Sequence, residues 1–184
     1  MQFELTTGQS LAVTGPNGSG KTTLLMTLLS LYRPSRGQVV FSQDGKRLDD
    51  SRRRAMTSLV APYLNLYDQL SAEENLKFIA TLTGHAVTGK QLDTLLARVG
   101  LQGRGCDPVG EYSSGMKQRL KYAVALLKEP AFMFLDEPST NLDEEGRQLI
   151  RSIIEEYRSR SMIVIATNDP EESRLAQQQL RLGS

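Results

Sequence analysis

The eight residues Gly15-Pro16-Asn17-Gly18-Ser19-Gly20-Lys21-Thr22 restrict this chain more than any other feature. They form a complete G-x-x-x-x-G-K-(S/T) loop. The apolar run Leu11-Ala12-Val13 precedes it, and Leu24, Leu25, Leu28 and Leu31 follow at helical spacing. A strand, a glycine-rich turn and a helix in that order allow successive backbone N–H groups to face inward as an anion nest. The positive end of the new helix adds to it. Lys21 can then reach β- and γ-phosphates and the Thr22 hydroxyl can hold a magnesium ion, while the backbone from Gly15 to Thr23 wraps the phosphates. The pattern predicts a nucleoside triphosphate site.

A chain of 184 residues supports one sizeable core and not two. Basic and acidic residues nearly balance, 22 against 21, and are interspersed. Bulk electrostatics therefore does not point to nucleic acid or to an anionic membrane, and no nucleic-acid partner is expected. The longest apolar runs, such as Met162 to Ala166, are strand-sized, far below the ~20 residues of a membrane-spanning helix. Residues 1–14 lack the basic start and continuous apolar stretch of a signal peptide. A single cysteine, Cys106, excludes an internal disulfide and suits a reducing cytosol. The lone His85 has no second His or Cys beside it, so zinc is not expected.

Strand and helix patterns alternate along the chain, which predicts an α/β fold with a mostly parallel sheet flanked by helices. Gln38 to Ser42 reads as a strand before an Asp44-Gly45 turn, and Leu59 to Ala61 as a short strand ending at Pro62. Ser71 and Glu74 make a capping box for a helix whose stripe is Leu76, Ile79, Ala80 and Thr83, ending at Gly84. A helix over Lys90 to Val99, a loop over 103–111 and a helix from about Ser114 to Lys128 follow. Phe132 to Leu135 and Met162 to Thr167 read as buried strands. Between them, Glu144 to Ser159 reads as a helix with Leu149, Ile150, Ile153, Ile154 and Tyr157 on one face. Leu180 to Leu182 reads as a final strand. The segment from about 70 to 128 is expected to be a helical subdomain inserted into the α/β core of a single domain, 1–184.

A second chemical site is expected at the end of Phe132-Met133-Phe134-Leu135-Asp136-Glu137. An apolar strand ending in two carboxylates delivers them to the carboxyl edge of the sheet, where open α/β sheets bind ligands. Asp136 is positioned to hold the metal ion and Glu137 to polarise an attacking water.

Together with Tyr112-Ser113-Ser114-Gly115-Met116-Lys117-Gln118-Arg119, these motifs resemble the ATPase subunit of an ABC transporter, over essentially the whole chain. The family signature is L-S-G-G-Q before a helix. This copy reads Y-S-S-G-M and keeps Ser113 and Gly115. On the residues alone, 112–115 can also be a plain helix start with Ser113 or Ser114 as N-cap. The resemblance implies a P-loop NTPase core, ATP and Mg2+ as cofactors, and a head-to-tail dimer with itself or a homologous subunit. In that dimer Ser113, Ser114 and Gly115 of one chain complete the site of the other, and Asp143 lies in the D-loop Ser139-Thr140-Asn141-Leu142-Asp143. It also implies an integral membrane permease as partner and a cytoplasmic, peripheral location at the inner face of the membrane. The Tyr-Ser-Ser-Gly-Met-Lys-Gln-Arg style is similar to subunits of the ABC-2 class and of the haem-exporter type of cytochrome c maturation.

Three departures stand out. The family glutamine between the core and the helical insertion falls on Pro62, which has no side-chain donor or acceptor. The family histidine after the last core strand falls on Asn168, expected to donate its amide to the γ-phosphate without titrating near neutrality. Asp169-Pro170 behind it also reads as an ordinary helix start. In the family a further strand and an adenine-stacking aromatic precede the position of Phe3. This sequence begins after them and stops near the final strand, which reads as a fragment, a misassigned start or a weakly held adenine. The expected function is ATP hydrolysis coupled to transport. The alternatives are an ABC ATPase working without a transporter and a nucleotide-gated module with slow hydrolysis.

Overall fold

The segment Met162–Thr167 is buried along its whole length, which is why its sequence, Met-Ile-Val-Ile-Ala-Thr, does not alternate. It is the middle strand of a five-stranded parallel sheet. The computed structural model describes residues 2–183. In chain order they form β1 (Ser10–Thr14), α1 (Lys21–Leu28), β2 (Ser42–Gln43), β3 (Lys46–Arg47), α2 (Asp50–Met56), β4 (Thr57–Val60), α3 (Ala72–Leu82), α4 (Gly89–Arg98), α5 (Ser114–Leu126), β5 (Phe132–Asp136), α6 (Glu144–Arg158), β6 (Met162–Thr167), α7 (Pro170–Ser173) and β7 (Gln178–Arg181). The sheet order is β4-β5-β6-β1-β7, and β2 and β3 pair separately as a hairpin.

Successive side chains on a strand point to opposite faces, so a sheet in this position needs apolar cover on both. Val60, Met133, Leu135, Ile163 and Ile165 enter one layer, together with Leu76 of α3, Leu92 and Leu96 of α4, Leu120 of α5 and Ile150, Ile153, Ile154 and Tyr157 of α6. Leu11, Val13, Phe134, Val164 and Ala166 enter the other, covered by Leu25 and Leu29. The α6 stripe matches its sequence periodicity. The α3 capping box forms as read: Ser71 Oγ accepts from Glu74 N at 3.2 Å, and the Glu74 carboxylate accepts from Ser71 N at 2.7 Å. A second capping box, Thr88 with Gln91, starts α4 one residue earlier than the periodicity suggests.

Several expected elements are displaced. Only Ser42 of the Gln38–Ser42 stretch is paired, in a hairpin turned by Asp44 and Gly45 at φ 51° and 72°. The apolar residues there serve one anchor, Phe41, whose ring meets Phe132 edge to face at 4.9 Å, while Val40 is exposed. Leu31 does not join the α1 stripe. The helix stops at Leu28, Ser30 takes a left-handed φ of 57°, and Leu29 is buried in its place, leaving Leu31 64% exposed. The strand expected at Leu59–Ala61 is β4, Thr57–Val60, which releases the chain before Pro62. The last strand lies over Gln178–Arg181, paired with Leu11–Thr14, and Leu182 follows it. The loop expected over 103–111 contains a 3₁₀ turn at Val109–Glu111. Helix α2 has no apolar stripe to betray it: Arg53 is its buried residue, and Asp49, which caps Arg52 N, is its only sequence signal.

Candidate active site

The strand register decides which loops meet. Thr14 pairs with Thr167, Asp136 with Ala166 and Val60 with Leu135. The residues just past β1, β4, β5 and β6 therefore emerge along one carboxyl edge: Gly15, the stretch Ala61-Pro62-Tyr63, Glu137 and Asn168. Glycine is required at Gly15, where φ is +152° and an added Cβ would stand 2.6 Å from the Leu182 carbonyl oxygen. Gly20, at φ 95°, turns the chain into α1.

Lys21 is only 7% exposed, and its Nζ donates to the carbonyls of Gly15 (2.9 Å) and Pro16 (3.2 Å), folding the ammonium back over the loop. Thr22 Oγ1 donates to Asp136 Oδ2 at 2.8 Å, joining positions far apart in the chain. The same carboxylate oxygen accepts from the Tyr63 hydroxyl at 3.2 Å. Burial first, and then the Asp136 charge, push the Tyr63 phenol well above the usual tyrosine range, so it is a neutral donor. Asn168 Nδ2 donates to Asn17 Oδ1 at 3.0 Å, which brings the turn after β6 onto the phosphate-loop motif. Glu137 sits in the left-handed region, φ 46°, a conformation costing about 1–3 kcal/mol for a residue with a side chain. Its N–H is fixed to the Ala166 carbonyl at 2.8 Å. Ser19 Oγ is buried without a hydrogen-bond partner.

A layer of buried polar groups, not foreseen from the sequence, holds this edge. The Pro138 carbonyl, directly after Glu137, accepts from Gln118 Nε2 (3.1 Å) and Tyr122 OH (3.2 Å), one turn apart on α5. Buried Glu172 accepts from Ser139 N at 2.8 Å and from the Thr167 hydroxyl, tying the loop after β5 to the end of β6. Lys121 Nζ holds the carbonyls of Ala61 (3.2 Å) and Pro62 (2.7 Å). The sequence signals were slight: Gln118 and Tyr122 share a helical face, and Tyr63 stands next to a proline at a strand end.

The signature residues are not part of this edge. Ser113 caps α5, its Oγ accepting from Met116 N at 3.2 Å, and both Ser113 and Ser114 are exposed. Among the described residues no hydrogen bond joins Ser113–Gly115 to Gly15–Thr23. Gly115 lies against the Asn141 carbonyl, where an added Cβ would approach to 3.1 Å. Asp143 caps α6 through Oδ1, which accepts from Gly146 N at 2.8 Å.

For a metal, the edge offers hard oxygen donors: one buried carboxylate, Asp136, and one hydroxyl, Thr22. No cluster of three or more His, Cys, Asp or Glu side chains suited to a metal exists among the described residues. That donor set fits magnesium, which prefers one or two carboxylates and substrate phosphates to an all-protein cage.

A family model described as ABC transporter matches residues 1–140. The chain belongs to the ABC transporter ATP-binding family. It is an ATP-binding ATPase of the P-loop fold. Among its relatives, the cytochrome c biogenesis ATP-binding export protein CcmA of Pseudomonas aeruginosa is 34% identical over all of this chain and 91% of that protein. The lantibiotic transport ATP-binding protein SrtF of Streptococcus pyogenes is 35% identical over 88% of this chain and 68% of that protein. The chain spans only 17% of ABC transporter A family member 2 of Arabidopsis thaliana, at 34% identity. The dimeric structure of a post-hydrolysis state of the ATP-binding cassette MJ0796 bound to ADP and Pi superposes with a TM-score of 0.84 at 25% identity, covering 98% of this chain and 83% of that one.

Proposed function

We propose that this ABC ATPase works as a head-to-tail pair around ATP and Mg2+, and that it drives an integral membrane permease from the cytoplasmic face. The carrying observation is the juxtaposition of Lys21, Thr22, Asp136 and Glu137 on one sheet edge while the Ser113–Gly115 helix start stays exposed and unconnected to it. Exposed Pro16, Asn17 and Gly18 on the loop and exposed Ser113 and Ser114 on the signature are two halves that a second chain can unite. The dimeric state of the MJ0796 cassette supports the same arrangement.

In this reading Lys21 leaves the Gly15 and Pro16 carbonyls for the β- and γ-phosphates, and the amides of the loop hold the remaining oxygens. Thr22 and Asp136 hold the magnesium ion, which neutralises charge on the phosphates. Glu137 takes a proton from the attacking water as its oxygen bonds the γ-phosphorus, and the bond to the bridging oxygen of ADP breaks. Asn168 donates to the γ-phosphate in exchange for its bond to Asn17. The relatives SrtF, a lantibiotic transport protein, and CcmA, a cytochrome c biogenesis export protein, support a transporter. Among the described residues no helix is long and apolar enough to cross a membrane; in this reading the permease supplies the path. Tyr67, Phe78 and Leu82 are exposed together on and beside α3, with the Tyr67 and Phe78 rings 5.1 Å apart, and offer an apolar contact to it.

Sedimentation of the chain with and without saturating Mg-ATP tests the pairing. A nucleotide-dependent dimer is expected, and a monomer at saturation overturns the sandwich. Asn168→Ala is expected to lower phosphate release about 10- to 150-fold, one hydrogen bond to a charged group. Asn168→His preserves turnover and can add a pH dependence that asparagine lacks. Unchanged release in Asn168→Ala leaves Asn168 as the residue before the Asp169-Pro170 helix start.

A further inference from the structure

Every backbone polar group from Glu137 to Ser139 has a partner. The Glu137 N–H donates to the Ala166 carbonyl at 2.8 Å, the Glu137 carbonyl accepts from Thr140 N at 3.2 Å, and the Ser139 carbonyl accepts from Leu142 N at 3.1 Å. The peptide between Pro138 and Ser139 is gripped at both polar ends, and from two different helices. Its oxygen accepts from Gln118 and Tyr122 of α5, and its N–H donates to Glu172 of α7. Glu172 is fixed in turn by the Thr167 hydroxyl, whose oxygen accepts from Asp169 N at 2.9 Å. Gln118, Tyr122 and Glu172 are all buried, where a polar side chain without a partner is costly. Burial, and after it the charge of Glu172, hold the Tyr122 phenol protonated as a donor. Three buried polar side chains thus converge on the one peptide that follows Glu137, the residue in the left-handed region. Such a conformation persists only where its surroundings over-determine it, and the strain is of the same order as the hydrogen bonds that oppose it.

We infer that Gln118, Tyr122 and Glu172 are positioning residues for hydrolysis. By gripping the 138–139 peptide they keep Glu137 left-handed and its carboxylate at the sheet edge. The inference rests on the reading that Glu137 accepts the proton of the attacking water, and it names the side chains that act through it.

Single-turnover phosphate release, Mg-ATP calorimetry and thermal unfolding of the full chain test this. Tyr122→Phe, which removes one oxygen and keeps the ring, is expected to slow release about 3- to 10-fold, the size of one hydrogen bond. Glu172→Met leaves Ser139 N without an acceptor and should slow it about 10- to 150-fold, one hydrogen bond to a charged group. Glu172→Gln keeps an oxygen for Ser139 N and should recover most of the rate. Mg-ATP affinity should stay at the wild-type value in all three, since none of these side chains hydrogen-bonds to Gly15–Thr23 among the described residues. If Glu172→Met does not fold, the isosteric Tyr122→Phe decides alone. Wild-type release in Tyr122→Phe and in folded Glu172→Met, with Glu137→Gln inactive, overturns the inference and leaves Glu137 as the base. A parallel loss of Mg-ATP affinity also overturns it, because it assigns the three side chains to general architecture. Release near the wild-type rate in Glu137→Gln removes the base reading itself, and the inference falls with it.

Discussion

Glu137→Gln is expected to abolish turnover while leaving ATP bound and the protein dimeric. The substitution keeps the shape of a side chain whose backbone is held at φ 46° by the Ala166 carbonyl and by the anchored Pro138 behind it. It removes only the basic oxygen. Loss of a positioned general base costs about 10²- to 10⁴-fold in rate. Single-turnover phosphate release should fall by that factor, and sedimentation with ATP should show more dimer than the wild type, because ATP persists. Residual release near the wild-type rate would move the proton acceptor to another group. A monomer in saturating ATP would count against the head-to-tail pair.

Lys21→Ala is expected to remove most ATP affinity. Lys21 is nearly buried, and its only hydrogen-bond partners among the described residues are the Gly15 and Pro16 carbonyls. The ammonium is thus stored within the loop and can transfer to phosphate oxygens over a short distance. Each charge-assisted hydrogen bond lost is worth about 1.5–3 kcal/mol, or about 10- to 150-fold in affinity. Deleting the side chain also strips the two carbonyls of their donor, so part of the loss arises from a loosened loop. Calorimetry with Mg-ATP measures the sum, and thermal unfolding without nucleotide separates the loop contribution. Affinity unchanged from wild type would remove Lys21 from the phosphate site.

Local chemistry was legible residue by residue. The Ser71–Glu74 box, the Asp169-Pro170 helix start and the α6 stripe each depend on contacts within a turn or two, and each forms as the spacing requires. The misreadings share a different cause. Leu31 continues a helical period that the Ser30 backbone ends, and Gln38–Phe41 look like a strand but lack a neighbouring strand to pair with among the described residues. Periodicity reports which face is apolar, but not whether a partner is present to bury it.

The same division runs through the site. Spacing within the motifs was enough to mark Gly15–Thr22, Asp136 and Glu137, because a phosphate nest and a strand-end carboxylate are built by consecutive residues. Which groups meet across the chain was decided only by the parallel register of β4, β5, β6 and β1. That register puts Thr22 and Tyr63 on Asp136, and Asn168 on Asn17. Gln118, Tyr122 and Glu172 stayed invisible for the same reason: a buried polar side chain is identified by the distant carbonyl or N–H it satisfies, and that partner is known only once the chain has folded.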